Sequence, residues 1–183
     1  MLQVSQTRVI SGSPAGQNGG NSVLPIKRID QAQSEWCWAA CGEMIATYLK
    51  RPSFTQCMFA NGYLARTGYC VDACKDPGTC NSPCRQQDIS IEYAKAGISS
   101  VLVPAAIDTQ TLHDEVGARR PVLAMVQYQS GASHVVLLTG YSRTASVFVI
   151  DTRTGHGEGW IDYAALRQAL GHGAWTTSWT GIK

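Results

Sequence analysis

The chain has little charge. Only 15% of its 183 residues are Asp, Glu, Lys or Arg, and the formal net charge is +2. A balance that small does not point to nucleic acid or an anionic membrane surface as a partner. No run of about 18 apolar residues occurs, so no segment reads as a transmembrane helix. The N-terminal MLQVSQTRVISG lacks both a basic stretch and a long apolar stretch, so it is not a visible signal peptide. An exported protein is nevertheless expected, with its signal removed or with a route that needs none. No cysteine lies beyond Cys84, and the chain contains no internal repeat.

What is present is concentrated. Hydrophobic residues at 44% and a length of 183 suit one domain with a real core. Residues 1–25 read as a flexible tail or pro-segment remnant, because SGSPAGQNGGNS has linker composition; LQVSQTRVI could add at most an edge strand. Residues 26–183 form the domain. The densest stretch is QAQSEWCWAACGEMIATYL, from Gln31 to Leu49, with a Cys-Trp pair where an apolar helix begins.

That helix is expected from about Glu35 or Trp36 to Lys50, closed by Pro52, and apolar nearly all round, hence buried on several sides. A short helix follows Phe54-Thr55, with Cys57, Met58, Ala60 and Leu64 on one face. Gln87–Lys95 is a third, Ser99–Val103 a strand, and Asp108-Thr109 caps a helix carrying Leu112 and Val116. From Pro121 the runs PVLAMVQYQ, SHVVLLTGYS and SVFVIDTR predict an antiparallel meander. Asp162–Leu170 reads as a helix, and AWTTSWTG as a last strand with Trp175 and Trp179 facing the core. Helices first and strands after predict an α+β fold.

Seven cysteines stand at 37, 41, 57, 70, 74, 80 and 84. Setting Cys37 aside as a reactive thiol leaves an even set: Cys41, Cys57, Cys70, Cys74, Cys80 and Cys84. Three disulfides would use them all. The loop within residues 57–84 is rich in Gly, Pro, Asp and Asn and needs covalent staples, which implies an oxidising compartment. The rival is a zinc knot on C-x3-C-x5-C-x3-C, a spacing unlike the usual structural zinc sites; no metal or other cofactor is expected.

The attacking form of a cysteine is its thiolate, and the positive end of a helix dipole favours it. Cys37 occupies that end; Cys41, one turn further in, suits a disulfide or the core. A cysteine nucleophile needs an imidazole partner. His134 opens the most hydrophobic strand, where a sheet would hold its ring, although a strand-end histidine bonded to backbone is the plainer reading. His113 lies on a polar helix face, and His156 and His172 sit between glycines in loops. Asp151, about one hairpin beyond His134, could orient the imidazole or simply cap the turn that follows. Trp38 and Ser133, the chain neighbours of Cys37 and His134, are candidate substrate contacts.

Gln31, six residues before Cys37-Trp38, with Gly-Ala-Ser-His134 and Asp151 far downstream, resembles the papain-like cysteine proteases. The segments Q-x5-C-W-A-A-C, RPVLAMVQY, SHVVLLTGY and VIDTRTG are similar to a bacterial branch that includes effector proteases injected into host cells. The resemblance implies a papain-like fold over about residues 25–183. It also implies a Cys37–His134–Asp151 triad, and an oxyanion hole of Gln31 and the Cys37 N–H. Papain itself uses an asparagine where this chain has Asp151. The bacterial branch often has a proline after the acid, whereas Thr152 stands here. The expected function is a monomeric cysteine endopeptidase acting on protein or peptide substrates. The alternatives are an acyltransferase or deamidase toxin with the same triad, or a catalytically dead, disulfide-stapled binding domain.

Overall fold

The computed structural model describes residues 21–68 and 70–183. Among the described residues, five α-helices and an antiparallel sheet fall into two blocks, a helical one first and a strand-rich one after it as the sequence implies, with the short β1 ahead of both. The helical block holds α1 (Cys37–Tyr48), α2 (Gln56–Thr67) and α3 (Gln86–Lys95). The sheet block begins with the short β1 (Asn21–Val23) and β2 (Val101–Val103), and α4 (Thr109–Gly117) precedes its main part. That part comprises β3 (Val122–Tyr128), β4 (Ser133–Ser142), β5 (Ser146–Asp151), β6 (Gly157–Asp162) and β7 (Gly173–Thr180), with α5 (Tyr163–Arg167) before β7. Strand order is β2-β7-β3-β4-β5-β6, every pair is antiparallel, and β1 adds to β4.

The core lies between α1 and the face of the sheet centred on β3 and β4. Trp38, Ala39, Ala40, Cys41, Met44, Ile45 and Ala46 of α1 are all buried, as expected for a helix apolar round most of its circumference. Gly42 lets it approach its neighbours: a Cβ there would stand 2.9 Å from the Tyr93 ring and 3.0 Å from Phe59. Trp175 and Trp179 face inward at 4% and 0% exposure, while Trp160 pairs edge-on with Phe148 on the outer face. Asp108 and Asp162 cap α4 and α5 through Thr111 N and Ala165 N.

Several expectations need correction. The first 20 residues, including the suggested edge strand LQVSQTRVI, lie outside the described residues. Residues 21–25, assigned to the tail on composition, hold strand β1 and the buried Leu24, so they belong to the folded domain. In α2 the buried face is Phe59, Ala60, Tyr63 and Leu64, and Met58 is 44% exposed. β6 was not foreseen: GEGWID is glycine-rich and mostly exposed, the pattern of an edge strand whose backbone pairing outweighs its side chains. The expected helix to Leu170 breaks after Arg167 into a 3-10 turn in which Ala169 and Leu170 take left-handed backbone angles.

The cysteine expectation is corrected too. Two disulfides form, Cys57–Cys74 and Cys70–Cys80, and Cys41 and Cys84 stay unpaired. Cys41 is sealed between α1 and β4, its Sγ 4.0 Å from the Val135 carbonyl oxygen. Burial pushes its thiol well up, with the Cys37 and Asp151 charges adding to the effect, so it stays protonated and packs as a small hydrophobe. Cys84 is likewise raised by burial, helped by Asp88 and Glu92. The four remaining sulfurs are consumed by the crossed pair of disulfides, which leaves the zinc knot without its thiolates.

Candidate active site

α1 begins at Cys37, and its first turn has no side-chain cap. The N–H groups of a first helical turn have no partner within the helix. The dipole's positive end and these donors therefore meet at Cys37, the only one of the three unpaired cysteines that is not buried. The approach to the helix is fixed from across the chain. Trp36 is buried and donates its indole N–H to the Cys80 carbonyl at 3.1 Å; Asn81 accepts from the Glu35 N–H at 2.9 Å and donates to Ser34 Oγ at 2.8 Å. The Cys70–Cys80 staple thus braces the segment that delivers the thiol.

The partner side chains come from the sheet. β4 and β5 pair with Leu137 opposite Ile150, a register that continues to Val136 opposite Asp151. His134, two residues along β4, shares the face of Asp151 as its diagonal neighbour. His134 Nε2 and Asp151 Oδ1 are 2.8 Å apart, and both side chains are buried. The Cys37 thiol lies close enough to the same ring to help raise its pKa. Because Nε2 is engaged by Asp151, Nδ1 is the nitrogen left for the thiol.

The electrostatics follow from this packing. Burial works to lower the His134 pKa, but hydrogen bonds and charge from Asp151 and Cys37 outweigh it and raise the ring to about 9. Asp151 is held well below the usual carboxylate range: burial opposes this, and the hydrogen bonds from His134 and Arg153 overcome it.

These residues line a groove of about 800 Å³ between the two blocks. Trp38, Pro83 and Cys84 make the helical wall with Ser34 and Glu35, and Met125, Tyr128 and Val135 face them from the sheet. The loop 129–133 forms the rim, and Arg153 and His172 complete it. Of the expected substrate contacts, Ser133 is exposed on this rim, whereas Trp38 is 1% exposed and packs edge-on against Tyr63.

Gln31 stands beside the site but does not line the groove. Its Nε2 donates to the Gln33 and Ser34 carbonyls at 2.9 and 2.6 Å, and its Oε1 accepts from Thr152 Oγ1 at 3.0 Å. The Gln31 N–H also donates to the Thr152 carbonyl at 2.7 Å. The residue that replaces the proline of the bacterial branch therefore ties the glutamine to the acid's turn, through a hydroxyl that proline lacks.

His113 is on the surface beside Asp114. His156, placed in a loop by its flanking glycines, brings Nδ1 to 3.4 Å from Asp151 Oδ2. Arg153 was missed altogether, although the signal was legible: a basic residue two positions after the acid, in DTR, can fold back on it.

The sequence profile of the family described as papain-like cysteine protease AvrRpt2 matches residues 22–156. The chain belongs to this family of papain-like cysteine proteases. No curated protein matches the chain. Among solved structures, it is similar to a double glycine motif protease from an AMS/PCAT transporter, crystallised in complex with the leader peptide. That likeness has a TM-score of 0.51 and 13% identity, and covers 89% of this chain and 97% of the other. It is also similar to the Pseudomonas avirulence protein AvrPphB, with a TM-score of 0.40 and 10% identity over 82% of this chain and 92% of that one. The papain-like fold and cysteine protease class expected from the sequence hold, and its substrates are proteins or peptides.

Proposed function

We propose that this papain-like protease is an endopeptidase whose nucleophile is Cys37, with His134 as proton carrier and Asp151 as the group that orients it. The observation that carries the reading is the buried His134–Asp151 pair, 2.8 Å apart, with Cys37 at an uncapped helix N-terminus close enough to raise the pKa of the same ring.

In the proposed cycle the Cys37 thiolate adds to the scissile carbonyl carbon, and the carbonyl π electrons move onto oxygen. The Cys37 N–H receives that oxyanion, and Gln31 joins it by releasing the Ser34 carbonyl as substrate settles on the 33–35 turn. His134 passes its Nδ1 proton to the leaving amine as the C–N bond breaks, giving a thioester. It then takes a proton from water, which attacks the thioester and frees Cys37. Ser133 on the rim, and Trp38 beneath it, bound the substrate. The domain acts as a monomer, with residues before the fold serving as a tail or pro-segment remnant. Two disulfides in a small loop fit a protein that matures outside a reducing cytosol, which supports export and an effector role.

Incubation with a mixed peptide library, followed by mass spectrometry, tests this reading. New peptide termini that require Cys37 support the endopeptidase. Side-chain amide loss without new termini would replace it with a deamidase using the same three residues.

A further inference from the structure

A buried carboxylate can orient an imidazole only if something stops it from turning. Asp151 is 1% exposed and carries several donors on its two oxygens. Oδ1 accepts from His134 Nε2 at 2.8 Å, from the Arg153 N–H at 3.0 Å and from Arg153 Nε at 3.3 Å. Oδ2 accepts from Arg153 Nη2 at 2.7 Å. The same Nη2 donates to Tyr128 Oη at 3.2 Å, and the guanidinium lies 5.8 Å from the Tyr128 ring centroid. Arg28 ties down the backbone beneath, donating to the Asp151 and Arg153 carbonyls at 2.8 and 2.9 Å.

We infer that Arg153 is a positioning residue for the reaction: its forked guanidinium, braced on Tyr128, pins the outer oxygen of Asp151 so that the inner one stays on His134. The inference rests on the Cys37–His134–Asp151 reading. A planar fork fixes a carboxylate in two directions at once, which a lysine ammonium cannot do. Arg153 on the turn after β5 thus completes a row of side chains that runs from Cys37 on α1 to His134 on β4 and Asp151 on β5. Arg28 from the N-terminal segment adds a positive group beside Asp151, His156 on that turn brings its ring to 3.4 Å from Asp151 Oδ2, and Tyr128 on β3 faces Arg153. Removing Arg153 therefore frees the carboxylate to turn and also leaves its charge less compensated.

The test compares Arg153→Met, Arg153→Lys and Tyr128→Phe with the parent, on the best peptide substrate from the library. The expected result for Arg153→Met is a kcat lower by roughly 10- to 100-fold with KM little changed, since a misplacement of about 1 Å can cost that much. Its basic limb of kcat/KM against pH moves upward, because His134 then faces a less compensated Asp151. Arg153→Lys lowers kcat while the basic limb stays at the parental pH, because charge is kept and the fork is lost. Tyr128→Phe, which keeps the ring on the groove wall and removes the hydroxyl that braces Arg153, lowers kcat by a few-fold with KM little changed and carries the test if Arg153→Met does not fold. A parental kcat in Arg153→Lys overturns the inference, as does a rise in KM alone, which would make Arg153 a substrate contact. Failure of the underlying reading looks different: Cys37→Ala would then cleave as the parent does.

Discussion

Asp151 Oδ1 stands 2.8 Å from His134 Nε2 and also accepts the Arg153 N–H at 3.0 Å. The two roles the sequence offers for this aspartate, orienting an imidazole and capping the turn after β5, are therefore met by the same oxygen. The turn and the His134 contact are therefore coupled, since whatever holds the Arg153 N–H in place also holds the carboxylate.

Exchanging Asp151 for Asn keeps the shape and removes the charge. The amide can also present N–H to Nε2, which would reverse the hydrogen bond. Turnover should fall by roughly 10²- to 10⁴-fold, with the fold retained, as seen when an orienting acid is neutralised in other triads. Steady-state kinetics beside a melting curve separates the two effects.

The pH dependence has a definite sign. His134 is raised to about 9 in the folded protein, so its proton stays on across neutrality and leaves as pH rises through about 9. The basic limb of kcat/KM should lie there, and in Asp151→Asn it should move down towards the ordinary histidine value of about 6.5. The same shift acts on stability. The contribution of His134 is complete below about pH 6.5 and is lost as pH rises through its folded-state value. Asp151 acts oppositely, since its lowered pKa gives a contribution present above about pH 4 and lost on acidification.

Removing the Cys70–Cys80 bridge with a Cys70→Ser/Cys80→Ser pair should destabilise the domain by roughly 2–3 kcal/mol from loop closure alone. It should also slow turnover, because Cys80 and Asn81 hold Trp36, Glu35 and Ser34 just ahead of Cys37. The Cys57–Cys74 bridge has no such tie to the 34–36 segment, and the corresponding double serine variant should lose stability with a smaller effect on kcat. Differential scanning fluorimetry and kinetics on the two variants make the comparison.

Cys41 lies one helical turn from Cys37 yet is fully buried and has its thiol pushed up. Cys41→Ala should keep turnover within a few-fold of the parent, at a modest cost in stability from the lost packing. Cys37→Ala should remove turnover. Assay of both variants on one substrate decides between the neighbouring cysteines.

Much of this was legible in the chain. The burial of α1 and the strands β3, β4, β5 and β7 follow from periodicity and the order of the elements, while the grouping of Cys37 with His134 and Asp151 came from the resemblance to papain-like proteases. What escaped depends on contacts between distant segments. GEGWID becomes a strand only because β5 offers its edge, and Arg153 matters only because the turn folds it onto Asp151 and Tyr128. Cysteine parity suggested three bridges, but parity cannot register that Cys41 is sealed inside the core. The Gln31 amide is spent on the Gln33 and Ser34 carbonyls, a local competition invisible in the spacing.

The most direct test of the central claim is intact mass after brief exposure to iodoacetamide at about pH 6 without reductant, where an ordinary thiol of pKa about 8.5 reacts slowly. The account predicts one rapid adduct, mapped to Cys37, with Cys57–Cys74 and Cys70–Cys80 intact and with Cys41 and Cys84 unlabelled. An unlabelled Cys37, or equal labelling at Cys41 or Cys84, would contradict it.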